Sequence, residues 1–382
     1  MKILSLILIL ILTVHFNINA QSLTPDNTRI LHLYETQQFS EASKYLSQFY
    51  TDSSTDIQLI NSIAYSYRMS GDYQQASNYY NKLYTLDTLN ISALTNLAYI
   101  NNQRGMFKSS MDLYKKLLAI DSTNVNTYTA LASLYTREKD IITAFSYLGK
   151  ANTLQPTNSN ISYDFVQLCL SLNEIDKADS VLTIALEDDP ENANLLYSKA
   201  KVSDEQKKYK EVIELSKKLI DLGEDSQEIW SLLARAYFRL DDFESAMLTY
   251  TDAMLTYDSW GEMDYYYMAM SCKALKRFDE GLKFIEKTLK EAISPNTGFY
   301  FARKADLLVD LNKPSAAAAD YIRSFQYEES TINYFNLAVL YDFNLQNKAN
   351  ALRYYTLYLN KKPPTQEKTY IEYAQKRIKA LK

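Results

Sequence analysis

At 382 residues the chain is long enough to bury a sizeable core, and its 41 Lys and Arg against 46 Asp and Glu leave a net charge of -5. That balance argues against wholesale nucleic-acid binding and against a polybasic membrane dock. Two Cys are too few for a disulfide scaffold, two Cys with His32, the one His outside residues 1–20, are too few for a His/Cys zinc cluster, and seven Gly and seven Pro provide neither a Gly-rich phosphate loop nor a flexible interdomain linker.

The N-terminus predicts the compartment. Lys2 precedes an apolar run from Ile3 to Val14, followed by polar His15, Asn17 and Asn19 and then Ala20 before Gln21. This is the layout of a secretory signal peptide over residues 1–20, cleaved before Gln21. The run is shorter than the roughly 20 apolar residues a membrane span needs, and no Cys follows the cut to carry a lipid. A retained, uncleaved anchor is the alternative, because Ile18 is not the small residue preferred three before the cut. With no later segment long and apolar enough to span a bilayer, the mature chain is expected to carry no integral membrane segment and to be periplasmic or secreted.

From there a single spacing dominates. Gly71, Gly105, Lys139, Asn173, Lys207 and Asp241 recur every 34 residues, and each stands two before a large apolar residue: Tyr73, Phe107, Ile141, Ile175, Tyr209 and Phe243. A small or β-branched residue follows three further on, at Ala76, Ser110, Ala144, Ala178, Val212 and Ala246. Self-similarity at this period predicts stacked helix-turn-helix units. Small residues on both helices, such as Ala64 with Ala76 and Ala234 with Ala246, let two backbones approach where they cross. Tyr67, Leu83, Leu97, Tyr114, Leu117, Leu131, Tyr135 and Leu148 recur at the three- and four-residue spacings of a buried helical stripe. Undisplaced units start at Ile57, Ile91, Val125, Ser159, Ala193 and Gln227; divergent ones are expected from about Leu23 and from Glu262, Gly298 and Thr331.

In the unit from Gln227 to Trp260, Trp230, Leu233, Ala234, Tyr237, Ala246 and Tyr250 match the tetratricopeptide repeat (TPR) pattern nearly position for position, and the chain resembles that family. The resemblance implies an all-α fold, a right-handed superhelical solenoid of about ten TPR-like helix-turn-helix repeats over residues 21–364. Thr365 to Lys382, after Pro363 and Pro364, then reads as a capping helix, with Ile371, Ala374, Ile378 and Leu381 on one side. In the family the first helix of each unit lines a concave inner surface. Carried over, the inner positions are Asn61, Tyr65, Arg68, Tyr99, Asn102, Gln103, Arg137, Tyr163 and Gln167, nearly free of acids, and further along Arg235 and Arg239. Tyr with Asn and Arg suits protein recognition, since it combines rigid contact area with adaptable hydrogen bonds. The carboxylate clamp of chaperone-binding TPR proteins is not reproduced, because Tyr65 and Tyr99 stand where its asparagine would be.

Nothing in the sequence points to catalysis. After cleavage His32 would be the one remaining histidine, and its place in a divergent repeat suits a surface or packed role. The pairs Asp188–Asp189, Asp241–Asp242 and Glu328–Glu329 fall at repeat turns, where acids favour helix N-termini. Cys169 and Cys272 occupy equivalent first-helix core positions three repeats apart, so they are expected to be buried, inert thiols. The chain therefore reads as a non-catalytic scaffold of the cell envelope, with neither metal nor cofactor, holding a protein or peptide partner in its groove. A carbohydrate-binding envelope protein is the alternative, because Tyr and Asn also suit sugar faces and hydroxyls.

Overall fold

The computed structural model describes residues 24–258, 260–291 and 295–382; the expected signal peptide lies outside them. Among the described residues there is no strand, and ten helical hairpins follow in order. They are α1 (Asn27–Glu35) with α2 (Phe39–Ser47), α3 (Ile57–Met69) with α4 (Tyr73–Leu86), α5 (Ile91–Gln103) with α6 (Phe107–Ile120), α7 (Val125–Arg137) with α8 (Ile141–Leu154) and α9 (Ser159–Ser171) with α10 (Ile175–Asp188). The second five are α11 (Ala193–Glu205) with α12 (Tyr209–Asp221), α13 (Gln227–Arg239) with α14 (Phe243–Ala253), α15 (Glu262–Ala274) with α16 (Phe278–Glu291), α17 (Thr297–Asp310) with α18 (Pro314–Ser324) and α19 (Thr331–Val339) with α20 (Lys348–Asn360). A last helix, α21 (Lys368–Leu381), follows. The chain divides into two compact units, one up to Cys169 and one from Leu170.

The recurring residue of the sequence is the one that reverses the chain. Gly71, Gly105, Lys139, Asn173, Lys207 and Asp241 all take positive φ, between 59° and 83°, and Gln37, Lys276, Asn312 and Gln346 do the same in the divergent hairpins. One left-handed residue ends the first helix and swings the backbone into the second, as a helix C-terminus commonly requires. In three hairpins the next helix is then started by an acid: Asp72, Asp140 and Asp242 accept the backbone N–H of Gln75, Thr143 and Ser245 at 3.0–3.1 Å. These carboxylates serve the turns. At the crossing the helices nearly touch. Ala64, Ala76, Ala234 and Ala246 have no exposed surface, and the buried Ser110 hydroxyl donates to the Ala98 carbonyl at 2.7 Å. At the equivalent position Gly281 leaves no room for more, since a Cβ there would meet the Ala269 carbonyl oxygen at 3.2 Å.

Left-handed backbone costs a non-glycine residue roughly 1–2 kcal/mol, and around Gly71 no atom lies within 4 Å of where a Cβ would sit. The whole penalty of Gly71→Ala is therefore backbone strain, and it should lower unfolding free energy by about 1 kcal/mol. The reverse change, Lys139→Gly, should raise it by roughly 0.5–1 kcal/mol after the entropy of glycine is set against the strain relieved. Denaturant midpoints of the two variants moving in opposite directions would confirm the turn assignment; a shared direction would refute it.

The final hairpin contains one residue too many. Twelve residues separate Ala64 from Ala76 and Ala305 from Ala317, but thirteen separate Ala338 from Ala351. A π-helical turn over Leu340–Asn344 absorbs the extra residue, its wider loop closed by the Leu345 N–H donating to the Leu340 carbonyl at 3.0 Å. The same turn carries Asp342, whose carboxylate is 5% exposed and takes a two-pronged bond from the Arg377 Nε and Nη2 of α21, both 2.7 Å long. Ala374 of α21 is fully buried, and Ile371, Ile378 and Leu381 pack on the same core.

Tyrosine supplies much of that core. Tyr80, Tyr250, Tyr300, Tyr355 and Tyr358 rank among the largest fully buried side chains. Most give their hydroxyl to a carboxylate: Tyr250 to Asp264 at 3.0 Å, Tyr300 to Glu262 at 2.5 Å and Tyr358 to Glu367 at 2.8 Å. Burial first, and those carboxylates second, push the phenols up; Tyr80, raised by burial against the opposing pull of Arg68, reaches about 12. The unfolded chain releases its tyrosine protons near the ordinary value of about 10. Between that pH and the folded values the native state holds more protons than the unfolded one, so stability is complete below about pH 10 and falls as pH rises beyond it. Alkaline titration should show an early tyrosinate step from exposed rings and a later one that coincides with loss of helical circular dichroism.

Candidate binding surface

In the N-terminal unit the first helices stand side by side and bring four of the predicted residues together. The Arg68 guanidinium of α3 lies over two rings, 5.4 Å from Tyr65 on its own helix and 5.5 Å from Tyr99 on α5. Asn61 accepts a hydrogen bond from the Ser92 hydroxyl at 2.8 Å, which ties α3 to α5 one end further along. Tyr34 of α1 meets Tyr65 edge-on at 5.5 Å, Phe39 does so at 6.1 Å, and Tyr73 abuts Tyr99 at 6.4 Å. The Tyr34 hydroxyl is fixed by the Ser66 hydroxyl at 3.0 Å and donates to the Ser62 carbonyl at 3.3 Å. Tyr34, Phe39 and Tyr73 were not among the residues expected from sequence. Tyr34 and Phe39 belong to a divergent repeat, and Tyr73 is one of the recurring apolar residues after the turn.

Asn102, half-buried, and Gln103, exposed, occupy the last turn of α5 beside this group. Arg137 stays apart from it. Its exposed guanidinium lies flat on the Phe107 ring, 4.1 Å from the centroid, because the last residue of α7 reaches back over the start of α6. Tyr163 and Gln167 are half-buried one turn apart on α9.

Arg235 and Arg239 belong to the other unit, where they meet acids and tyrosine. Arg235 Nη2 is 4.0 Å from Asp204, and Arg239 Nη2 donates to the Tyr267 hydroxyl at 3.0 Å. With Glu205, Lys207 and Tyr209 they line a cavity of about 250 Å³. Two larger cavities of the same unit had no sequence signal. One of about 380 Å³ has Trp230, Tyr237, Lys217 and Leu248 in its walls. Another, of about 390 Å³, is lined by Lys273, Asp306, Tyr321 and Phe335.

The electrostatics suit binding better than chemistry. Burial raises Tyr34, and the hydrogen bond to Tyr99 raises Tyr73, so neither phenol is prepared to act as a base or nucleophile. Burial likewise lifts the Cys272 thiol to about 12, leaving it inert. His32 is exposed on α1. Among the described residues no three His, Cys, Asp or Glu side chains converge as metal ligands would.

Tetratricopeptide repeat models match residues 135–202, and residues 57–88 and 227–255. The array of helical hairpins and these matches place the chain in the tetratricopeptide repeat family. Among solved structures, a tetratricopeptide repeat protein from Parabacteroides merdae is 17% identical over 67% of this chain and 99% of its own, with a TM-score of 0.42. YrrB, described as a TPR protein with an unusual peptide-binding site, is 19% identical over 50% of this chain and 94% of its own, at a TM-score of 0.40. MamA is 22% identical over 42% and 95%, at 0.39. No curated protein matches the chain. The fold is one consistent with protein–protein interaction, in a family of generally non-catalytic scaffolds.

Proposed function

We propose that the protein is a non-catalytic scaffold of the cell envelope that holds an extended segment of a partner protein along the first helices of its N-terminal unit. One observation carries this reading: Tyr34, Tyr65, Arg68 and Tyr99 form an aromatic row running across α1, α3 and α5, with Asn61 and Asn102 on its borders. Such a row offers rigid contact area in line with the array, together with amides that can bond to a peptide backbone. A glycan is less well served. Sugars stack on open ring faces, whereas Arg68 lies over the faces of Tyr65 and Tyr99.

Anchors of this kind typically carry much of the energy of an interface, so Tyr99→Ala should weaken a captured partner by on the order of 2 kcal/mol. Lys150→Ala, at an exposed position of the second helix α8, should leave affinity unchanged. Calorimetry with a partner captured from envelope extract decides the matter: equal affinities for both variants would move the site off this row.

The envelope assignment rests on the N-terminal sequence, Lys2 followed by an apolar run and Ala20. Protein isolated from the envelope fraction should begin at Gln21, and Edman sequencing that returned Met1 would overturn cleavage.

A further inference from the structure

The two units differ in whether their cations pair with acids. In the C-terminal unit Lys199 pairs with Asp179, Lys273 and Arg303 with Asp306, Lys304 with Asp320 and Arg377 with Asp342. Among described residues 24–169 no Lys or Arg forms an ion pair with a carboxylate, although that stretch holds acids in plenty. Many of its acids are engaged at helix ends: Asp26, Asp56, Asp72 and Asp140 are N-caps whose carboxylates accept backbone N–H groups. Several of its cations rest on rings, Arg29 on Tyr45 at 4.2 Å, Lys116 on Tyr84 at 5.2 Å and Arg137 on Phe107 at 4.1 Å, a contact that the C-terminal unit also makes, as in Arg239 over Tyr267.

Arg68 is the cation of this group that sits within the aromatic row. Its Nε is buried with no hydrogen-bond partner, and its Nη2 points to the Met69 sulfur at 3.4 Å, a weak acceptor. The Tyr80 hydroxyl is its other polar neighbour. With Nε closed off, the edge of this guanidinium that can meet a ligand is the one formed by Nη1 and Nη2, and that edge matches a carboxylate with two parallel bonds. The side chains shown against it, Tyr65, Tyr99, Met69 and Tyr80, include none that would repel an anion.

We propose that Arg68 receives an acidic side chain, Asp or Glu, of the segment bound along this row. The inference rests on the reading of the row as a peptide site and adds the chemistry of its ligand. An internal acid fits better than a chain terminus, because aromatic surface continues on both sides of Arg68, to Tyr34 on α1 and to Tyr99 on α5. A terminal carboxylate at Arg68 would leave one side uncovered.

The test uses the purified protein and a displayed library of short random peptides with amidated C-termini, with selected sequences then measured as fluorescein-labelled peptides by polarisation. Selected peptides should share an Asp or Glu. Changing that acid to Asn or Gln should weaken binding about ten- to a hundredfold, the range for hydrogen bonds to a charged group. Arg68→Gln should abolish the difference between acidic and amide peptides, while Arg68→Lys, which keeps the charge but not the fork, should retain part of it. If Arg68→Gln is less stable, the change from acid to amide on the peptide still decides the question on the unaltered protein. Peptides that need Tyr99 yet tolerate loss of their acid would overturn the role of Arg68 and leave the peptide site standing. Binding that appears only with a free C-terminal carboxylate would overturn the internal-acid proposal in favour of a terminus. No selected peptide, or peptides indifferent to Tyr99→Ala, would overturn the site itself.

Discussion

The hairpins depend on one close backbone contact, the crossing of their two helices, which in most of them falls at a pair of small residues. Where Ala64 faces Ala76, or Ala98 takes the hydroxyl of Ser110, the helix surfaces meet with almost no side chain between them. Larger residues must then pack in the seams between hairpins. A single hairpin cannot cover both its apolar stripes, so each is stabilised by its neighbours and stability is close to a sum of nearest-neighbour terms. The left-handed residue at each turn follows from the same demand. It is what brings the second helix back at the angle the crossing needs, and eight of the ten hairpins impose that conformation on Lys, Asp, Asn or Gln, at Gln37, Lys139, Asn173, Lys207, Asp241, Lys276, Asn312 and Gln346.

The last hairpin departs locally from the pattern. One inserted residue opens a π-helical turn that turns Asp342 inward, and Arg377 of α21 meets it with two bonds. Breaking such a pair from one side would leave an uncompensated charge, which is costly when it is buried. The register of α21 is thereby specified more sharply than by Ile371, Ala374 and Ile378 alone, since an apolar stripe tolerates sliding in a way that a forked bond does not.

Much of this was legible in the sequence. The turn positions could be read because a backbone requirement repeats at a fixed interval, and the small residues because a crossing admits little else. The extra residue between Ala338 and Ala351 was equally visible as a count, but a count does not say whether a bulge, a longer turn or a shifted helix absorbs it. The candidate surface was legible only in part. Asn61, Tyr65, Arg68 and Tyr99 could be placed on first helices by their position in the repeat, whereas Arg137 left the group because a long side chain took the Phe107 ring that lay within its reach. Tyr34, Phe39 and Tyr73 escaped notice because their contribution is a contact between hairpins, and spacing within one hairpin carries no trace of it.

The different treatment of charge in the two units was also hidden, for a physical reason. Acids and bases alternate along both stretches, and only the fold decides whether an acid caps a helix or reaches a cation. In the C-terminal unit Asp306 shows the second outcome, receiving Arg303 at 2.9 Å and Lys273 at 3.8 Å. In the N-terminal unit caps such as Asp56 and Asp72 show the first. A carboxylate that caps a helix is held at the turn and can no longer neutralise a guanidinium on the exposed side of a first helix. Capping and pairing thus compete for the same carboxylates: Asp56 and Asp72 are held at helix starts, and among the described residues of this unit no carboxylate pairs with Arg68.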